Sequence, residues 1–314
     1  MCENAEIFVL GGVTAVGKTA AALAWAERGN AEILSCDSLL FYRGMDIGTA
    51  KPTLEERSRV THHGIDLVTV DQPYDVASYL DYAHQVVREI RERGNKVLVV
   101  GGSGFYLQAF FAPVIDDVEV PDYLRNQVLD WEQEEGLSGL LRRLHELNPE
   151  GIGDLDSDNP RRVTRALERC LASGQSLLAL KESFQKADFP FRKHSKITWI
   201  LDREDFDLEK RVKERVSLML DEGLLTEVQA LREMGLERNP SACRAVGYRE
   251  TLLHLDGRCS SEQWRETIVS ATLRLARKQR KWFRSRLPVD RVLLLSEHED
   301  VGDLPAPWEL PGRV

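Results

Sequence analysis

Residues 7–10 (IFVL) form a run without a polar position, the pattern of a strand buried on both faces. A Gly-rich stretch follows, and then a pattern that predicts a helix over 18–28, closed by Gly29-Asn30. Residues 31–35 predict a second strand. A helix predicted over 78–93 stops at Gly94-Asn95 and leads into the apolar strand 96–100. Strand and helix alternate over short connections, which predicts an α/β fold: a parallel sheet with helices on both faces.

The pattern changes after about residue 115. From 121 to 189 the chain reads as consecutive helices, broken at Gly136, Asn148-Pro149, Asn159-Pro160 and Gly174. Residues 197–201 read as a strand again. The expected organisation is therefore a core of residues 1–117 and 196–314 carrying a helical insertion over 118–195. The last third is mostly helical. Ser260 and Gln263 have capping-box spacing, opening a helix that runs to about Arg286 and ends before Pro288.

Composition narrows the class without naming a function. The chain has 314 residues, enough for one large domain with a smaller insertion, and its 42% hydrophobic and 30% charged residues are those of a globular protein. No apolar run is long enough for a membrane helix. The acidic first ten residues show no basic region ahead of an apolar core, so no secretory signal is expected. Five dispersed cysteines (Cys2, Cys36, Cys170, Cys243 and Cys259) and seven histidines lack metal-ligand spacing, which fits a reducing cytoplasm. The net charge of −9 argues mildly against a nucleic-acid partner, but residues 274–286 hold seven Lys or Arg and no acid.

The first chemical motif is Gly12, Val13, Thr14, Ala15, Val16, Gly17, Lys18 and Thr19, which matches G-x-x-x-x-G-K-[ST] between a strand and a helix. Such a loop wraps backbone N–H groups around phosphate oxygens at a helix N-terminus. Lys18 adds a point charge, and Thr19 can hold Mg²⁺ against a di- or triphosphate. A kinase or NTPase also needs a carboxylate closing a buried strand. The strand 96–100 closes instead on Gly101-Gly102-Ser103-Gly104, and Asp66 is a poor substitute. Asp37 follows the second strand. It would sit near the phosphate loop, as a proton acceptor, a metal ligand or simply a turn residue.

Residues 35–52, SCDSLLFYRGMDIGTAKP, closely resemble the signature of the tRNA dimethylallyltransferases, also called tRNA isopentenyltransferases. The resemblance extends over nearly the whole chain. It takes in the phosphate loop, the turn Gly101-Gly102-Ser103-Gly104-Phe105-Tyr106, the stretch from Asn159 through Arg162 and Arg165 to Glu168, that from Cys243 through Arg244 to Glu250, and Arg277-Lys278-Gln279 with Trp282. Val13 stands where the family loop has proline, and Ser103 where the family has threonine. No zinc-finger tail follows residue 290, so the bacterial type is expected.

The resemblance implies a P-loop-like fold and transfer of a dimethylallyl group from dimethylallyl diphosphate to N6 of the adenine beside a tRNA anticodon. It implies Asp37 as the proton acceptor, Lys18, Arg244 and Thr19 with Mg²⁺ on the diphosphate, and Ser103 at the target nucleotide. It places tRNA contacts on Asp37, Ser38, Leu39 and Leu40, on Arg161, Arg162, Val163, Thr164 and Arg165, and near Arg125, with Arg277, Lys278 and Gln279 as further candidates. Trp282 and Phe283 are expected in the core. Neither a membrane nor an obligatory protein partner is implied. Three other readings stay open: a prenyltransferase of free adenine nucleotide, a small-molecule P-loop kinase, and a non-catalytic RNA-binding module switched by a nucleotide.

Overall fold

The computed structural model describes residues 6–115, 118–297, 299 and 301–310; Cys2 and residue 117, the expected end of the first core segment, lie outside them. Six strands form one parallel sheet: β1 (Ile7–Gly12), β2 (Ala31–Ser35), β3 (His62–His63), β4 (Lys96–Gly101), β5 (Lys196–Arg203) and β6 (Arg291–Leu295), in the order β3-β2-β4-β1-β5-β6. Strand β1 is buried along its whole length between β4 and β5, which accounts for its unbroken apolar run. The chain leaves β1 toward β2 and later leaves β4 toward β5. The two connections therefore diverge at the carboxyl ends of adjacent strands, where ligands of open parallel sheets bind.

The chain divides into two compact units, Met1–Ala112 with Pro190–Val314, and Pro113–Phe189. In the larger unit α1 (Lys18–Gly29) follows the phosphate loop and ends at Asn30 in the left-handed region. Helix α2 (Leu54–Arg59) is capped by Thr53 and Glu56, and α3 (Val76–Glu92) by Asp75, which accepts the N–H of Ser78. The buried stripe of α3, from Tyr79 and Leu80 through Ala83, Val86 and Val87 to Ile90, has helical spacing. Helix α4 (Gly104–Gln108) begins directly after β4.

In the smaller unit α5 (Asp122–Leu147) is interrupted at Gly136, whose φ of 66° is non-helical, and α6 (Pro160–Ser173) begins at Asn159-Pro160. With α7 (Leu177–Lys186) they enclose a separate core of Val128, Leu140, Leu144, Val163, Leu167 and Leu180. The larger unit resumes with α8 (Asp205–Asp221), α9 (Leu224–Glu233), α10 (Pro240–Cys243), α11 (Tyr248–Leu255) and α12 (Ser261–Arg286). The capping box at Ser260 and Gln263 is present. No helix among the described residues is long and apolar enough to cross a membrane.

Candidate active site

The loop between β1 and α1 turns through two left-handed residues, Ala15 (φ 63°) and Gly17 (φ 108°). Side chains from the second half of the chain hold it. Arg203 Nε donates to the Val16 carbonyl and Arg211 Nε to the Ala15 carbonyl, both at 3.0 Å. Arg215 Nη1 reaches Thr14 Oγ1 at 3.3 Å. Gln279 closes the set: its Oε1 accepts the Thr14 N–H at 2.9 Å, and its Nε2 donates to the Gly102 carbonyl at 3.0 Å. Within the loop Lys18 Nζ donates to the carbonyls of Gly12 and Val13.

Beside the loop lies a cavity of about 610 Å³, within the size range of small-molecule sites. Thr14, Lys18, Thr19, Asp37, Ser38, Leu39, Leu40, Ser103, Arg244, Lys278 and Gln279 all line it. The structure thus gathers residues from five separated motifs: the phosphate loop, the 35–52 signature, the 101–106 turn, the 243–250 stretch and the 277–282 stretch. Asp37 follows β2, its carboxylate accepting the N–H of Leu39 at 3.1 Å. Ser103 Oγ accepts the N–H of Ser38 at 3.1 Å, which ties the turn after β4 to the Asp37 segment. The approach is tight: a Cβ on Gly101 would lie 2.0 Å from the Cys36 carbonyl oxygen, so no larger residue fits there.

Electrostatics favour proton and anion chemistry here. Burial raises the Asp37 pKa above the ordinary carboxylate value, against the opposing pull of the Leu39 N–H, Lys18 and Arg215. Burial lowers Lys18 to about 8, with Asp37 opposing and Arg215 assisting. Burial also lowers Arg215, assisted by Arg211 and opposed by Asp37. A polyanion entering the cavity would thus meet partly desolvated cations whose interaction is strong for want of water.

Several expectations need correction. Gln279, expected on tRNA, spends its amide on Thr14 and Gly102, where it joins two loops. Val163 is expected on tRNA beside its arginine neighbours, but it is fully buried in the core of the smaller unit, so its side chain cannot meet an RNA. Trp282, expected in the core, lines the cavity against Gly104, whereas Phe283 is buried. Asp66, the weak candidate for a kinase metal ligand, is paired with Lys51 Nζ at 2.6 Å and Arg57 Nη1 at 2.7 Å.

In the smaller unit Arg125, Arg161, Arg162 and Arg165 are exposed. Arg162 approaches Asp156 at 3.5 Å, Arg165 pairs with Glu168 at 3.0 Å, and Thr164 donates to Glu132. Arg277 is exposed on α12. Sequence reasoning missed Arg211 and Arg215, although their i, i+4 spacing on one helix face was the available signal.

The IPP transferase family model matches residues 40–286. A curated tRNA dimethylallyltransferase of Opitutus terrae is 49% identical over 302 residues, covering 96% of this chain and 97% of the relative. The crystal structure of a full-length tRNA isopentenylpyrophosphate transferase from Bacillus halodurans aligns with a TM-score of 0.66 at 32% identity, over 92% of this chain and 89% of that one. A eukaryotic dimethylallyltransferase acting on tRNA shares the fold, with a TM-score of 0.78 at 24% identity over 93% and 74% of the two chains. A match of this extent and identity to a prenyltransferase family agrees with the phosphate loop and Asp37 meeting in one cavity, and the chain belongs to the IPP transferase family, the tRNA dimethylallyltransferases.

Proposed function

We propose that this cavity transfers the dimethylallyl group of dimethylallyl diphosphate to the exocyclic N6 of the adenine beside the anticodon of tRNA, giving N6-isopentenyladenosine and diphosphate. The observation that carries the reading is the convergence of Lys18, Arg215 and Asp37 on one desolvated cavity. In the reaction the N6–C1 bond forms and the C1–O bond to diphosphate breaks. Asp37, with its raised proton affinity, takes the N6 proton as that amine becomes cationic. The departing diphosphate gathers charge against Lys18, the loop N–H groups, Arg215 and Arg244. Val216, Met219, Ile268 and Leu275 offer an apolar wall for the five-carbon tail.

Thr19 lines the same cavity, and a threonine hydroxyl with diphosphate oxygens is the hard oxygen set that Mg²⁺ prefers. Thr19 would hold the ion, which when bound would neutralise charge on the leaving group. Ser103 would face the target nucleotide. Arg125, Arg161, Arg162, Arg165, Arg277 and Lys278 would meet tRNA phosphates, and the adenine must leave its stack to reach Asp37. A tRNA substrate and the dispersed, unpaired cysteines support a cytoplasmic reaction.

The pairing of Asp66 with Lys51 and Arg57 disfavours the kinase reading. The arginine-bearing helical unit favours tRNA over a free nucleotide. Incubation with labelled dimethylallyl diphosphate, offered unmodified tRNA and AMP in separate reactions, tests the proposal. Label in tRNA alone supports it, and label in AMP alone overturns it.

A further inference from the structure

Glu227, on α9, lies outside the sequence motifs, yet it accepts four hydrogen bonds from segments that line the cavity. Its Oε2 accepts the backbone N–H groups of Asp46 at 3.0 Å and Ile47 at 2.6 Å. Its Oε1 accepts the Gly48 N–H at 3.2 Å and the Tyr248 hydroxyl at 2.6 Å. Three successive backbone donors converging on one anion make a nest, here filled by the protein's own carboxylate. Tyr248 is fully buried, and a Cβ on Gly48 would lie 2.5 Å from its ring, so the two segments are pressed together.

These two adjoining segments both contribute to the cavity lining. Gly48, Thr49 and Ala50 belong to one, and Arg244 and Gly247, just before Tyr248, to the other. One carboxylate joins both, and no other side chain among the described residues bonds to the N–H groups of Asp46, Ile47 and Gly48. We infer that Glu227 is a positioning residue: acting through the 46–48 amides and Tyr248, it clamps the two lining segments together and holds Arg244 toward the diphosphate. Its charge is essential to the part, because a glutamine in its place would turn an N–H₂ donor toward N–H and O–H donors. The inference rests on the proposed role of Arg244.

The test measures binding of inorganic diphosphate with Mg²⁺ by calorimetry for the wild type, Glu227→Gln, Glu227→Asp, Arg244→Ala and the Glu227→Gln/Arg244→Ala double variant, each with a melting curve. Outer-shell partners that orient metal ligands change affinity by about 10–100-fold when lost, and an effect at the lower end of that range is expected here. The expected result is a Kd raised about tenfold or more in Glu227→Gln, largely restored in Glu227→Asp, and little further weakening when Glu227→Gln is added to Arg244→Ala. Should Glu227→Gln fail to fold, Tyr248→Phe removes one donor and keeps the ring, and is expected to give a smaller effect in the same direction. A lowered melting temperature with unchanged Kd, or effects that add in the double variant, overturns the inference. An Arg244→Ala protein that binds diphosphate normally overturns instead the assignment of Arg244 on which it rests.

Discussion

The side-chain oxygen of Gln279 lies 2.9 Å from the backbone nitrogen of Thr14, a residue 265 positions away in sequence. With the second bond from Gln279 to the Gly102 carbonyl, it fixes the first turn of the phosphate loop against the turn after β4. Gln279→Leu keeps the size of the side chain and leaves both backbone groups unpaired. An unsatisfied buried group costs about 1–3 kcal/mol, so the variant should melt earlier and bind diphosphate more weakly. A melting curve and a calorimetric titration check this. A variant altered only in tRNA affinity would return Gln279 to the RNA-binding role that the sequence suggests.

Lys18 gives a pH dependence with a definite sign. Burial lowers it to about 8, with Asp37 opposing and Arg215 assisting. Above that pH the free protein holds Lys18 neutral, and binding a polyanion must restore its proton. Affinity for diphosphate should therefore fall as pH rises beyond about 8, by up to about tenfold per unit. The fold responds oppositely. The unfolded chain keeps this lysine protonated up to its ordinary value of 10.5, so between about 8 and 10.5 the unfolded state binds more protons and rising pH stabilises the unliganded protein. Titrations from pH 7 to 10 should show the fall, and Lys18→Met should remove it. A flat wild-type profile would contradict the assignment.

Much of the fold was legible because local pattern and final environment agree. The apolar run of β1 is buried throughout, and the capping box at Ser260 opens α12 as its spacing predicts. Strand β3 escaped notice because it has only two residues. Strand β6 escaped notice although residues 292–295 are a short apolar run; it lies at a sheet edge with Val292 and Leu294 exposed. In the site, the phosphate loop, Asp37 and Ser103 were legible through short motifs. The loop-bracing roles of Arg211, Arg215 and Gln279 were not, since they arise from hydrogen bonds across about two hundred residues or more. Val163 shows the converse error, a core residue mistaken for an RNA-binding one because its neighbours are arginines.

The arginines of α6 separate a tRNA grip from a solvated face. Replacing Arg161, Arg162 and Arg165 with Ala should raise KM for tRNA and leave dimethylallyl diphosphate binding unchanged. For every tRNA phosphate that is no longer neutralised, the log–log salt dependence of affinity should flatten by about 0.7–0.9. Arg162 and Arg165 also pair with Asp156 and Glu168, so Arg161→Ala is the single variant with least effect on the fold. An unchanged salt slope in a normally folded triple variant would exclude the helix and leave 274–286 as the candidate surface.

Two glycines should respond very differently to alanine. At Gly101 the added carbon would meet the Cys36 carbonyl at 2.0 Å, so the end of β2 must shift and Asp37 with it. At Gly94, with φ of 78° and nothing within 4 Å, only the left-handed backbone resists, at about 1–2 kcal/mol. Gly94→Ala should remain active with a modestly lowered melting temperature. Gly101→Ala should lose transfer activity or fail to fold, as activity assays beside melting curves would show.

Single-turnover transfer from dimethylallyl diphosphate to tRNA, measured for Asp37→Asn beside the wild type, tests the proposed chemistry most directly. Asparagine keeps the size and the hydrogen bond from Leu39 but cannot take the N6 proton. The account predicts a rate lower by about 10²–10⁴, the usual effect of removing a general base, with diphosphate-substrate binding nearly unchanged. A near-normal transfer rate in Asp37→Asn would contradict it.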